Sequence, residues 1–206
     1  MWTDAHLTPA GEAQALKAHA FWASLIATQH IPVPESYYSS PLTRCLDTCS
    51  LTFSNLPLPS SHPFVPTIKE LFREAIGVHT CDRRSSKSFI AERYPEWKFE
   101  EEFEEEDPLW SRTERETDEA MDQRSKKVLD DVFENDSRTW ISVSSHSGEI
   151  GSILRVLGHR KFSLGTGQVI PVLVKAEVVD GTPPTSTKAP WSTPSTCSAP
   201  PATSTL

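Results

Sequence analysis

An α/β domain is what this chain predicts, with a mostly parallel sheet covered by helices on both faces in three layers. Two observations carry that prediction. Short β-branched or aromatic stretches alternate with longer stretches of helical composition up to residue 179, and two of the short stretches end in polar turns that open directly into a helix. A third observation sets the boundary. From Gly181 to Leu206 Pro, Ser and Thr dominate, a composition that buries too little apolar surface to offset its ordering entropy. The expected organisation is a domain over 1–179 and a disordered tail over 180–206.

Thr8 can cap a helix that has Pro9 in its first turn and runs through Ala10–Gln29, with Leu16, Ala20, Ala23, Leu25 and Ile26 as its buried face. Ile31–Tyr38 holds two prolines and reads as a loop leading into a short strand. After Pro41, Leu42–Phe53 forms the next helix, so Arg44 falls in its first turn. Thr67–Phe72 is extended, and Arg73–Arg84 is a polar loop with Glu74 at its head. Phe99–Asp107 sets seven carboxylates around Phe103 and reads as a solvated, mobile surface. Thr113–Glu134 is a long helix with Ala120, Met121, Val128, Leu129 and Val132 inward. Trp140–Ser144 is a short strand of buried type. Glu149–Leu157 is a helix with Ile150, Ile153, Leu154 and Leu157 on one side, closed by Gly158. Val169–Val179, largely β-branched, carries the strongest strand signal in the chain.

At 206 residues the chain can bury a sizeable core, and a net charge of -8 argues against a nucleic-acid partner. No apolar run reaches the roughly 18–20 residues that span a bilayer, so no membrane partner is expected. The start, Met-Trp-Thr-Asp-Ala-His, reads as neither a signal peptide nor an anchor. Cys45, Cys49, Cys81 and Cys197 lack paired metal-ligand spacing and read as free thiols of a cytoplasmic or nuclear protein.

The chemistry concentrates in two half-sites. Residues 39–49 read Ser-Ser-Pro-Leu-Thr-Arg-Cys-Leu-Asp-Thr-Cys, and residues 142–149 read Ser-Val-Ser-Ser-His-Ser-Gly-Glu. An arginine in a helix's first turn offers phosphate a planar fork, beside backbone donors and the positive end of the helix dipole. Ser40 and Arg44 around Pro41 suit that task. His146 arrives by the same route, and Gly148 lets the backbone approach a ligand closely.

Together these stretches resemble the histidine phosphatase (phosphoglycerate mutase-like) superfamily, over about residues 4–179. The block Gly77-Val78-His79-Thr80-Cys81-Asp82-Arg83-Arg84 looks like the fungal phosphomutase-like branch. The resemblance implies hydrolysis of a phosphorylated small molecule through a phosphohistidine, without metal or cofactor. It makes Arg44, with Ser40, the phosphate ligand, and His146 the support of the transferring phosphoryl group. Leu71-Phe72-Arg73-Glu74 matches the pattern of the proton donor, which points to Glu74, with Glu70 as the alternative. One part is missing. The family's nucleophilic histidine lies in an Arg-His-Gly motif ending a first, central strand, and no Arg-His-Gly occurs here. Leu7-Thr8-Pro9-Ala10-Gly11 resembles the helix opening downstream of that motif, so the first central strand is expected to be absent and the chain truncated and inactive as it stands. The alternatives are a pseudophosphatase that binds phosphate or a partner without catalysis, and an unrelated α/β interaction module.

Overall fold

A computed structural model describes residues 3–178, and the first compact unit extends to Ala176. The expected tail over 180–206 lies outside the described residues. Helix α1 (Pro9–Gln29) starts where expected: the Thr8 hydroxyl accepts from the Gly11 N–H and Pro9 takes the first helical position. Its buried residues are Ala15 and Ala18, whereas Leu16 is 52% exposed. The buried face thus follows the 15–18–22–26 register, in which Trp22 reaches Phe53, and not the one beginning at Leu16. Strand β1 (Ser36–Ser39) leads into α2 (Thr43–Phe53). Strand β2 is only Thr67–Ile68, because the chain tightens into a 3-10 turn over Glu70–Phe72.

A second 3-10 turn, Thr80–Asp82, interrupts the polar loop. Then follow α3 (Lys87–Arg93) and a two-residue strand, β3 (Lys98–Phe99), that nothing in the sequence signalled. Helix α4 (Asp118–Asn135) begins later than its composition suggests, because the Thr117 hydroxyl caps it through the Ala120 N–H. Met121, Val128 and Val132 do face inward, joined by Arg124 and Ser125. Strand β4 (Ile141–Ser144) and α5 (Ser147–Val156) complete the fold.

All pairings are parallel, in the order β3-β2-β1-β4. Consecutive residues of a strand point to opposite faces. Tyr37 therefore packs on Cys49, Phe53 and α1, while Tyr38, Ile141 and Val143 meet Val128, Val132 and Ile153 on the other side. Helices cover both faces, as the three-layer prediction requires. Strand β4 is half-buried along its length rather than enclosed, since it forms an edge of the sheet.

One further expectation fails. Val169–Val178 forms no strand: Val169 is 47% and Leu173 102% exposed, and among the described residues no strand pairs with this stretch. β-branched composition makes a strand only where a neighbouring edge accepts its hydrogen bonds. The acidic stretch Phe99–Asp107 keeps Glu101, Glu102, Glu104, Glu105 and Glu106 exposed, as expected, while Phe103 and Asp107 turn inward onto buried cations. Phe103 is buried beneath the Arg84 guanidinium at 4.3 Å, and the Asp107 carboxylate pairs with Arg73. Among the described residues no helix is long and apolar enough to cross a membrane.

Candidate functional site

The C-terminal ends of β1 and β4 lie side by side, with Ser39 opposite Ser144 and the Ser40 N–H donating to the Ser144 carbonyl at 3.0 Å. Both half-sites are therefore delivered to one place. Ser40 is fully buried; its hydroxyl accepts from the Leu42 N–H at 3.3 Å and lies 2.8 Å from His146 Nε2. With the backbone N–H already on its oxygen, the hydroxyl can give its own proton to a bare Nε2, which places the ring proton on Nδ1.

His146 is the N-cap residue of α5 and is buried. Burial, followed by the charges of Arg44, Arg73 and Arg124, holds its pKa well below the ordinary 6.5. The imidazole is neutral at pH 7.

Glu74 follows β2 and the Glu70–Phe72 turn and reaches the opening of α5. Its Oε2 accepts from the Gly148 N–H at 3.3 Å and its Oε1 from the Ala75 N–H at 3.0 Å. A Cβ at position 148 would stand 2.0 Å from Oε1. The close approach expected at Gly148 thus belongs to the chain's own carboxylate. Both oxygens of Glu70, the alternative to Glu74, are held by the buried Arg73 and Arg84 at 2.7 and 2.8 Å.

Arg44 stands in the first turn of α2 as expected. Its terminal nitrogens donate to the Cys81 carbonyl at 2.7 Å and to Asp82 Oδ1 at 2.9 Å, while a quarter of the side chain stays exposed, 24%. One of the backbone donors expected from this helix end, the Thr43 N–H, is already engaged. The Asp4 carboxylate takes the Thr43 N–H at 2.8 Å and the Thr43 hydroxyl at 2.7 Å, and also binds Ser85.

Arg124 is a site residue the sequence did not reveal. It donates to the carbonyls of Leu71, Arg73 and Glu74, chelates Glu116 through Nε and Nη2, and places Nη1 3.0 Å from Glu149 Oε2. It thereby fixes the backbone on which Glu74 stands. Its signal was an arginine among Met121, Ser125 and Val128 on the inward face of α4, where arginine is rare unless paired. Glu149 is wholly buried, and burial pushes its carboxyl up to about 7 against the opposing pull of Arg124. The other six histidines, all described, are placed otherwise: His6 beside Asp47, His19 on the Thr52 carbonyl, His30 at the end of α1, His62 beside Ser61 and Arg138, His79 before the Thr80–Asp82 turn, and His159 on the Arg160 carbonyl. Among the described residues no cluster of His, Cys, Asp and Glu could hold a metal ion.

Comparison with known proteins bears on the family and the fold. The sequence model described as "Histidine phosphatase superfamily (branch 1)" matches residues 1–169. The chain is 52% identical to "Probable phosphoglycerate mutase" of Arthroderma benhamiae, over 92% of this chain and 54% of that protein. It is 39% identical to "Phosphomutase-like protein 3" of Candida albicans, over 86% of this chain and 54% of that one. It thus spans about half the length of these relatives. Among solved structures, the alpha-ribazole phosphatase from Shigella flexneri shares the fold with a TM-score of 0.50 at 18% identity, over 81% of this chain and 78% of that one.

Proposed function

Because the chain belongs to the histidine phosphatase superfamily, we propose that Ser40, Arg44, Glu74 and His146 are the phosphate-binding and proton-donating part of a site for phosphorylated small molecules. The observation that carries this reading is the convergence of a neutral imidazole, a guanidinium whose charge acts on it, and a carboxylate, from three separate segments. In the reaction so assigned, a histidine nitrogen forms a bond to phosphorus as the ester oxygen departs with a proton from Glu74. Water then attacks the phosphohistidine and regenerates the imidazole. Arg44 balances charge on the equatorial oxygens, and neutral His146 donates a hydrogen bond to them.

The attacking histidine belongs to an Arg-His-Gly motif that the 206 residues do not contain. In the isolated chain the site therefore binds phosphate and does not turn over, which is also the behaviour of a pseudophosphatase. Among the described residues no strand pairs with the outer edge of β4, and a strand laid parallel there would end beside His146, which supports a catalytic reading over one of binding alone.

Titration with inorganic phosphate, followed by phosphorus NMR, tests the reading. The wild-type chain should bind, and Arg44→Met should bind about tenfold or more weakly, the value of a charge-assisted bond. Hydrolysis of p-nitrophenyl phosphate by the 206-residue chain should stay at background. Turnover that disappears in His146→Gln would overturn the absence of catalysis, and equal phosphate binding by wild type and Arg44→Met would overturn the site itself.

A further inference from the structure

The segment 77–84, which the proposed chemistry leaves unused, is built as a clamp on Arg44. Gly77 has φ 92° and Val78 φ 63°, a left-handed conformation that is costly for a β-branched side chain. Bonds from outside hold the strain. The Val78 N–H donates to the Ser111 carbonyl at 2.7 Å, the Trp110 indole to the His79 carbonyl at 3.0 Å, and Arg73 to the Asp82 carbonyl at 2.6 Å. A Cβ at position 77 would lie 1.8 Å from the Glu114 carbonyl oxygen, so only glycine fits there.

This fixed segment presents two adjacent acceptors, the Cys81 carbonyl and Asp82 Oδ1, and each takes one terminal nitrogen of Arg44. The end-on fork of the guanidinium is consumed, and the direction of its remaining N–H groups, Nε among them, is set. Asp82 alone would cancel the charge it orients. Arg115 prevents this: its Nη1 donates to Asp82 Oδ2 at 3.0 Å and to the Gly77 carbonyl at 2.8 Å. The trio of Arg44, Asp82 and Arg115 keeps a net positive charge.

We propose that Asp82 is a positioning residue for Arg44, and that Arg115 is the counter-charge that keeps Arg44 able to hold a tetrahedral oxyanion. This rests on Arg44 being the phosphate ligand. The test is inorganic phosphate affinity at low ionic strength, measured by phosphorus NMR and calorimetry beside the melting temperature. Asp82→Ala should bind phosphate about tenfold more weakly, the value of one hydrogen bond to a charged group. Asp82→Asn keeps an oxygen for Arg44 and should recover wild-type affinity, a rescue that a purely electrostatic role does not predict. Arg115→Gln, on a side chain 36% exposed and so safe for folding, should weaken binding severalfold at an unchanged melting temperature. Wild-type affinity in Arg115→Gln, or tighter binding in both Asp82 variants, would overturn the proposal while Arg44→Met still binds phosphate more weakly than wild type. Binding by Arg44→Met equal to wild type would instead overturn the reading of the site.

Discussion

His146 joins chemistry to stability. An unfolded imidazole protonates near pH 6.5, whereas the folded one, buried and facing three arginines, is held well below that. Below pH 6.5 the unfolded chain therefore binds a proton that the folded chain does not, and stability falls as pH falls, by at most about 1.4 kcal/mol per pH unit. Glu149 acts with the opposite sign. Its folded carboxyl is raised to about 7 from 4.5, so across that window the folded state holds the extra proton and stability falls as pH rises. The two effects oppose each other between 4.5 and 6.5, and only a single variant exposes either one. Denaturant unfolding from about pH 5 to 8 should show the stability difference, wild type minus His146→Gln, rising with pH below 6.5 and level above it. A level difference throughout would mean that folding leaves the His146 titration unperturbed. Arg44, Glu74 and His146 were legible in the sequence because each lies in a short turn motif. Arg124 and Asp82 were not, because each becomes part of the site only through partners supplied by distant segments.

Among the elements, the acidic stretch after β3 departs furthest from its composition. Seven carboxylates in nine residues read as a solvated surface, yet their backbone closes around Arg84. That side chain is wholly buried; its Nε holds Glu70, and its terminal nitrogens receive the carbonyls of Ser85, Glu104, Glu105 and Glu106. Arg73, equally buried, takes both oxygens of Asp107 at 2.7 and 2.6 Å. Glu101, Glu102, Glu104, Glu105 and Glu106 stay exposed because the stretch is bound through its main chain, a use that side-chain composition does not reveal. Removing one member of a buried pair typically costs about 3–5 kcal/mol, mostly through the unpaired charge left behind. Arg84→Met leaves Glu70 with one cation and strips four carbonyls of their donor, so a loss of about that size is expected in chemical denaturation. A Glu-specific protease should then cut between 100 and 106 in the variant while sparing the wild type. Equal resistance in both would mean that something other than Arg84 orders this segment.

At the scale of the molecule, the sheet is complete on one side of β1 and open beyond β4. The carbonyls of Trp140 and Ser144 accept bonds from β1, so by the alternation of a strand the backbone groups of Ile141 and Val143 face away from it. Among the described residues no strand receives them. The exposed apolar residues Val169 and Leu173 lie in a stretch with the composition of a strand, and among the described residues no strand pairs with it. The α/β class and the order of the motifs were legible because hydrophobic period and turn chemistry are local. The state of Val169–Val178 was not, because a strand exists only with its neighbour. Unpaired edge amides open to solvent without disturbing the core, so the Val143 amide should exchange with deuterium at least about a hundredfold faster than that of Tyr38, which faces β4 inside the sheet. Extending the chain at its N-terminus with a strand ending in Arg-His-Gly should slow Val143 toward the Tyr38 rate and bring turnover with it, if that strand pairs with β4. Equal protection of the two amides in the 206-residue chain would mean that the edge is already covered, and that the added histidine must reach His146 by another route.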